Sequence, residues 1–152
     1  MDIRTRAANY INTRMRTEAQ LRKYLTDKGC DLHEADEIVN EFKRYGYIDD
    51  MNYAVLYYEY AASKGRGLSR IKRELKEKGI AAGIIEEAYD SLEEKPDQLE
   101  MAMDIGRQMI THVNISELDY AEKQKLRARI GRRLASRGFS SEIIYKVIGT
   151  LI

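Results

Sequence analysis

Four residues of one short segment, Ile71, Leu75, Lys78 and Gly79, recur at unchanged spacing twice more in the chain: as Leu21, Leu25, Lys28 and Gly29, and as Ile130, Leu134, Arg137 and Gly138. Apolar residues four apart share one face of a helix. A cation three positions on suits a helix C-terminus, and glycine then ends the helix, because it alone enters the left-handed cap at little cost. Beyond each glycine the register continues six and nine positions on, with Ala35 and Ile38, Ile85 and Ala88, and Ile144 and Val147. The glycines lie 50 and 59 residues apart, a period typical of supersecondary repeats. The spacing predicts three copies of one helical unit, the last with an insertion, and reads Leu21, Leu25, Ile71, Leu75, Ile130 and Leu134 as core.

Each copy is read as three helices, giving an all-α fold: an elongated, curved array of three tandem three-helix repeats, residues 1–47, 48–95 and 96–152. A single proline and the absence of any sustained alternating run support the helical reading. The first repeat holds helices near Arg4 to Arg14, Thr17 to Lys28 and Leu32 to Tyr45, with Thr17 as N-cap. In the second, Asp49 or Asp50 caps a helix through Ala61; Leu68 to Lys78 and Ala81 to Leu92 follow, and "GRG" at Gly65 to Gly67 forms the loop after the first helix. The third holds Leu99 to Ile110, Leu118 to Ser136 and Ser141 to Ile148, with Pro96 in the first turn of its opening helix and Ser116 capping the long one. Stacked neighbours help bury the faces that a unit this small leaves open. With 152 residues and 43% hydrophobic content, the core needs no metal or disulfide. The lone Cys30, following Gly29, is expected half-buried at a helix junction rather than reactive. No apolar stretch reaches the roughly 20 residues that span a bilayer, and the N-terminus lacks a secretory signal, so the expected location is cytoplasmic.

Net charge is only +1, but the charge is not evenly spread. Residues 4–28 hold seven cations against Glu18 and Asp27, and residues 64–78 hold seven against Glu74 and Glu77. Residues 123–137 hold Lys123, Lys125, Arg127, Arg129, Arg132, Arg133 and Arg137 and no carboxylate. Unbalanced like charges on one helix repel one another unless an anionic surface offsets them. Phosphate backbone or an acidic protein face would serve.

The residue groupings of common enzymes are missing. His33 and His112 lack metal-ligand spacing, and neither a phosphate-binding loop nor a nucleophile elbow occurs. No cofactor, metal site or catalytic residue is assigned. Asp49 and Asp50 could attract a divalent cation, but a helix N-terminus needs such carboxylates for capping, and that reading is preferred. Tyr53, Tyr57 and Tyr60 recur at helical spacing and read as a packing face with polar tips; base stacking by them or by Tyr58 is the alternative. A helix-turn-helix DNA reader fails on charge in the second repeat, where the segment Ala81 to Leu92 carries Glu86, Glu87 and Asp90 and no cation.

The stretches "RTEAQLRKYLTDKG" (Arg16 to Gly29), "GYIDDMNYA" (Gly46 to Ala54), "GLSRIKRELKEKGI" (Gly67 to Ile80) and "RLASRGFSSEIIYKVI" (Arg133 to Ile148) together resemble the RecX regulatory proteins of bacterial recombination. They stand in that family's order and cover most of the chain; a tyrosine replaces the phenylalanine often found after the aspartates. The resemblance implies tandem three-helix repeats, no enzymatic activity, and binding to the RecA filament on single-stranded DNA, where such proteins mostly inhibit recombinase, ATPase and coprotease activities. The chain is further expected to be a cytoplasmic monomer with no membrane partner, any direct DNA binding being weak. The residues expected to meet the anionic partner are Arg70, Lys72, Arg73 and Lys76 in the middle repeat and Arg127, Arg129, Arg132 and Arg133 in the last. Two rival readings stay open: a direct nucleic-acid binder without RecA, and a helical scaffold for an unrelated protein.

Overall fold

The three pattern glycines adopt left-handed backbone, with φ of +98° at Gly29, +90° at Gly79 and +95° at Gly138. Each closes a helix by the same double hydrogen bond. Cys30, Ile80 and Phe139 donate their backbone N–H to Leu25, Leu75 and Leu134, while the glycine N–H reaches the carbonyl of Thr26, Lys76 or Ala135. The residue after the glycine therefore folds back over the last apolar residue of the pattern. Leu25, Leu75 and Leu134 are fully buried, Ile80 and Phe139 nearly so, and Cys30 half-buried.

The computed structural model describes all 152 residues, and every regular element in it is helical. The helices are α1 (Ile3–Asn12), α2 (Glu18–Asp27), α3 (Leu32–Arg44), α4 (Asp50–Ser63), α5 (Leu68–Glu77), α6 (Ala82–Ser91), α7 (Gln98–Met109), α8 (Tyr120–Ser136) and α9 (Ser141–Leu151), with a 3-10 turn at Ile115–Glu117. The pattern residues are α2, α5 and α8, the second helix of each repeat. Two compact units form: Met1–Tyr58 with Glu74–Glu93, and Glu59–Arg73 with Glu94–Ile152. The core of the first gathers Ala7, Leu21, Leu25, Ala35, Ile38, Val39, Phe42 and Ile48. The second is built on Ala102, Met103, Leu126, Ile130, Leu134, Phe139 and Val147. Ile71 and Leu75 are buried as their spacing requires.

Thr17 caps α2 with a full capping box, its hydroxyl accepting from Gln20 N–H at 3.1 Å and Gln20 Oε1 accepting from Thr17 N–H at 3.0 Å. The same hydroxyl donates to the Lys78 carbonyl at 2.7 Å, so the start of α2 sits on the end of α5. Ala19 lies against Gly79 where a side chain at that glycine would stand. In the second unit Gly67, which like Thr17 stands twelve residues before a pattern glycine, donates its N–H to the Arg137 carbonyl at 2.7 Å. Arg70 there packs on Gly138. One joint is thus used twice, the start of one second helix on the glycine-capped end of the next. Each joint brings a donor from a helix start, the Thr17 hydroxyl in one and the Gly67 N–H in the other, to a carbonyl at a helix end. Thr17→Val keeps the shape and removes both hydroxyl bonds, so we expect a loss of about 2–3 kcal/mol, read from urea denaturation. A loss below about 0.5 kcal/mol, the usual size of a surface change, would deny the joint its role.

Two expected caps stand elsewhere. Ser116 does not cap α8; it lies in the 3-10 turn and its hydroxyl donates to Asn114 Oδ1 at 2.7 Å. Asp119 caps α8, with Glu122 completing the box. Pro96 precedes its helix, since Asp97 is the N-cap of α7. An ionised carboxylate holds the free N–H groups of a helix start more strongly than a hydroxyl does, and Asp119 lies directly before the first helical residue. Asp49 caps α4, accepting from Asn52 N–H at 3.0 Å.

Candidate functional site

The three basic segments behave differently once folded. In the first, much of the charge is held within the chain: Arg4 pairs with Glu41 at 3.0 Å, Arg22 with Asp36 at 2.9 Å and Glu18 at 3.2 Å, and Lys23 with Asp27 at 2.8 Å. Arg16 lies over the Tyr10 ring at 4.0 Å, and Tyr10 in turn stacks on Tyr24 at 4.2 Å. In the second, Arg66, Arg70, Lys72 and Arg73 all have interaction partners, while Lys76 is exposed on the last turn of α5. Lys76 belongs to the first unit; Arg70, Lys72 and Arg73 belong to the second.

The third segment is α8. Its buried stripe is Leu126, Ile130 and Leu134, four residues apart. The other faces therefore carry the charge: Arg129, Arg132 and Arg133 are exposed and none holds a carboxylate, and Arg127 donates to Gln124 Oε1 at 3.0 Å. Two clefts flank these arginines. One, of about 560 Å³, lies between the end of α4 with its following turn, α7 and α8, and is lined by Lys64, Arg129, Arg133 and Arg137 among others. Its single carboxylate, Asp104, is paired with Arg107 at 3.0 Å. The second, of about 480 Å³, is lined by the apolar Val113, Leu118, Leu126 and Ala128 and by Glu122, Lys125, Arg129 and Arg132.

Of the eight expected contact residues, Arg129 and Arg133 meet in the first cleft and Arg129 and Arg132 line the second. Arg70 packs its backbone and Cβ against Gly138, a structural duty its charge did not suggest. Lys64 and Arg137 were not among the eight. Arg137 Nη1 reaches the Lys64 carbonyl at 3.4 Å across 73 residues of sequence, and only the fold unites them. Tyr58 is buried and donates to the Ile85 carbonyl at 2.9 Å, which removes it from any stacking role. Tyr53 and Tyr57 are half-buried and stacked, and the Tyr57 hydroxyl donates to Glu74 at 3.1 Å; Tyr60 is 51% exposed.

The paired aspartates are occupied by caps. Asp50 accepts from Glu18 N–H at 2.9 Å, an orphan donor at the start of α2. Burial pushes the Asp50 carboxyl up from the ordinary aspartate value, against the hydrogen bond that lowers it. No group of three or more potential metal ligands exists. Burial also raises the Cys30 thiol, with Glu34 adding to the effect, which disfavours the reactive thiolate. No helix is long and apolar enough to cross a membrane.

Tandem three-helix domains, with exposed arginines on α8 beside two clefts, place the chain among all-α helical-repeat proteins. Three stretches match, in order, models of the first, second and third three-helix domains of RecX: residues 4–42, 49–88 and 115–148. The regulatory protein RecX of Vibrio vulnificus is 30% identical over 144 residues, covering 95% of this chain and 89% of that protein. That of Bacillus pumilus is 31% identical over 147 residues, covering 93% of this chain and 52% of its relative, so the chain spans about half the length of that protein. A crystal structure of RecX from Lactobacillus salivarius shares the fold with a TM-score of 0.80 at 26% identity, over 97% of this chain and 93% of the other. The chain belongs to the RecX family of regulatory proteins.

Proposed function

We propose that this chain binds the RecA filament on single-stranded DNA and restrains RecA without catalysing a reaction of its own. The observation that carries the reading is the row Arg129, Arg132 and Arg133, exposed and without carboxylate partners, in a chain whose relatives are named regulatory proteins. Charge left unpaired on a folded surface raises the local potential and favours an anionic partner. A filament offers such a surface many times over, so contacts from several repeats reinforce one another through their effective concentration. The α8 arginines supply the main contacts in this reading, with Lys76 and the engaged cations Arg70, Lys72 and Arg73 contributing less.

Sedimentation with RecA assembled on single-stranded DNA tests it. The chain is expected to pellet with filaments at concentrations at least tenfold below those at which it binds the same DNA alone, the modest end of what linked contacts provide. Equal affinity for naked DNA and filament would end the RecA reading.

A further inference from the structure

The joint that links second helices is completed twice in this chain, and a third glycine-capped end stands ready for it. In each completed joint the carbonyl just before the glycine accepts from a helix start, Lys78 from the Thr17 hydroxyl and Arg137 from the Gly67 N–H, both at 2.7 Å. The space over the glycine is filled as well, by Ala19 at Gly79 and by Arg70 at Gly138.

Gly29 carries the same cap and neither contact. Its φ is +98°, and Cys30 and Gly29 donate to the Leu25 and Thr26 carbonyls as their counterparts do at the other two ends. Yet the Lys28 carbonyl accepts no hydrogen bond from the chain, and a Cβ on Gly29 would meet nothing within 4 Å. Lys28 and Gly29 are both exposed, whereas Lys78 and Arg137 are partly covered. Cys30 is half-buried where Ile80 and Phe139 are nearly fully buried. The end of α2 is thus the receiving half of a joint with no helix start seated on it.

The built joints show what fits there. The incoming group is the first turn of a helix, bringing a hydroxyl or backbone N–H as donor; at the Thr17 joint a short side chain, Ala19, lets the two helices close up. A helix start exposes donors and a helix end exposes acceptors, so the two attract one another head to tail. A second copy of this chain cannot supply the group. Its Thr17 and Gly67 starts are already seated, and the corresponding residue of the third repeat, Leu126, is buried within α8, which begins at Tyr120.

We propose that the Gly29 end of α2 is a docking surface for the start of a helix from another polypeptide, with a hydroxyl-bearing cap and alanine two residues on, as in Thr17 and Ala19. The contact continues the joint by one step and places the incoming helix where a preceding repeat would put its own. It uses none of the α8 arginines, so it and the filament reading stand or fall separately.

The probe is a peptide with the sequence of residues 14–28, which carries the Thr17 start. A lactam between Lys23 and Asp27, exposed and already 2.8 Å apart in the chain, keeps it helical, because so short a helix is marginal alone. Titrated into the isotope-labelled full chain, it is expected to shift the Gly29 and Cys30 amide resonances, with half-saturation at about 1 mM or below. Thr17→Val and Ala19→Leu, made together in the peptide, should weaken binding at least tenfold, by removing the donor and blocking the approach. Gly29→Asn in the chain should do the same: asparagine tolerates left-handed backbone, and its side chain fills the receiving space. Its melting temperature checks that the fold is kept, and the altered peptide decides the point if it is not. No shift at Gly29 and Cys30 at about 5 mM peptide would overturn the proposal. Undiminished binding of the altered peptide would also overturn it, leaving adhesion of the Leu21 and Leu25 face. Shifts at Gly79 instead would mean that the peptide displaces the chain's own α2 start, and the Gly29 end would lose its assignment.

Discussion

Valine in place of Gly138 is expected to lower the melting temperature by about 10 °C, a large shift for one substitution. Two costs combine. The left-handed backbone at φ +95° penalises any side chain by about 1–2 kcal/mol, and more when it is β-branched. The new Cβ would also stand against Arg70, within 2.7 Å of its backbone nitrogen, where overpacking costs about 1–3 kcal/mol. The other glycines separate the two terms. Gly29 shares the backbone conformation, but a Cβ there meets nothing within 4 Å, so Gly29→Val should cost about half as much. Gly67 lacks positive φ, yet a Cβ on it would lie 2.6 Å from the Gly138 carbonyl carbon and oxygen. Gly67→Ala therefore reports the clash alone. Equal shifts at Gly29 and Gly138 would show that the joint between second helices carries no packing energy.

Charge reversal at Arg129, Arg132 and Arg133 together should raise the concentration needed for half-inhibition of RecA at least tenfold, since each removes an attraction and adds a repulsion at the anionic surface. Helicity should be unchanged: the three side chains are exposed and lie off the Leu126, Ile130 and Leu134 stripe. Circular dichroism and melting temperature check that condition. Inhibition at the original concentration with intact helicity would remove this face of α8 from the contact surface.

The helical repeats were legible because one pattern does three jobs at fixed spacing: two core positions, a C-terminal cation and a left-handed cap. The start of α8 was less so. Ser116 looks like a cap, but the capping box lies at Asp119 and Glu122, and its acid pair three apart was the better signal. Tyr58 could have been separated from Tyr53, Tyr57 and Tyr60, because Ala54, Tyr58 and Ala61 form their own stripe at spacings of four and three, and that stripe is the buried one. The candidate site was legible only in part. Counting charge singled out α8 but treated the middle segment as its equal, although Arg70 packs in a joint and its neighbours have partners. The approach of Lys64 to Arg137 depends on tertiary packing that no local spacing encodes.

The most direct measurement is single-stranded-DNA-dependent ATP hydrolysis by RecA with this protein titrated in, set beside its binding to the same DNA without RecA. If the protein acts on the assembled filament, as proposed, hydrolysis should fall at concentrations well below those that cover the naked DNA. A fall that only tracks coverage of the DNA would contradict the account and leave a competitor for DNA, with the basic face as its whole explanation.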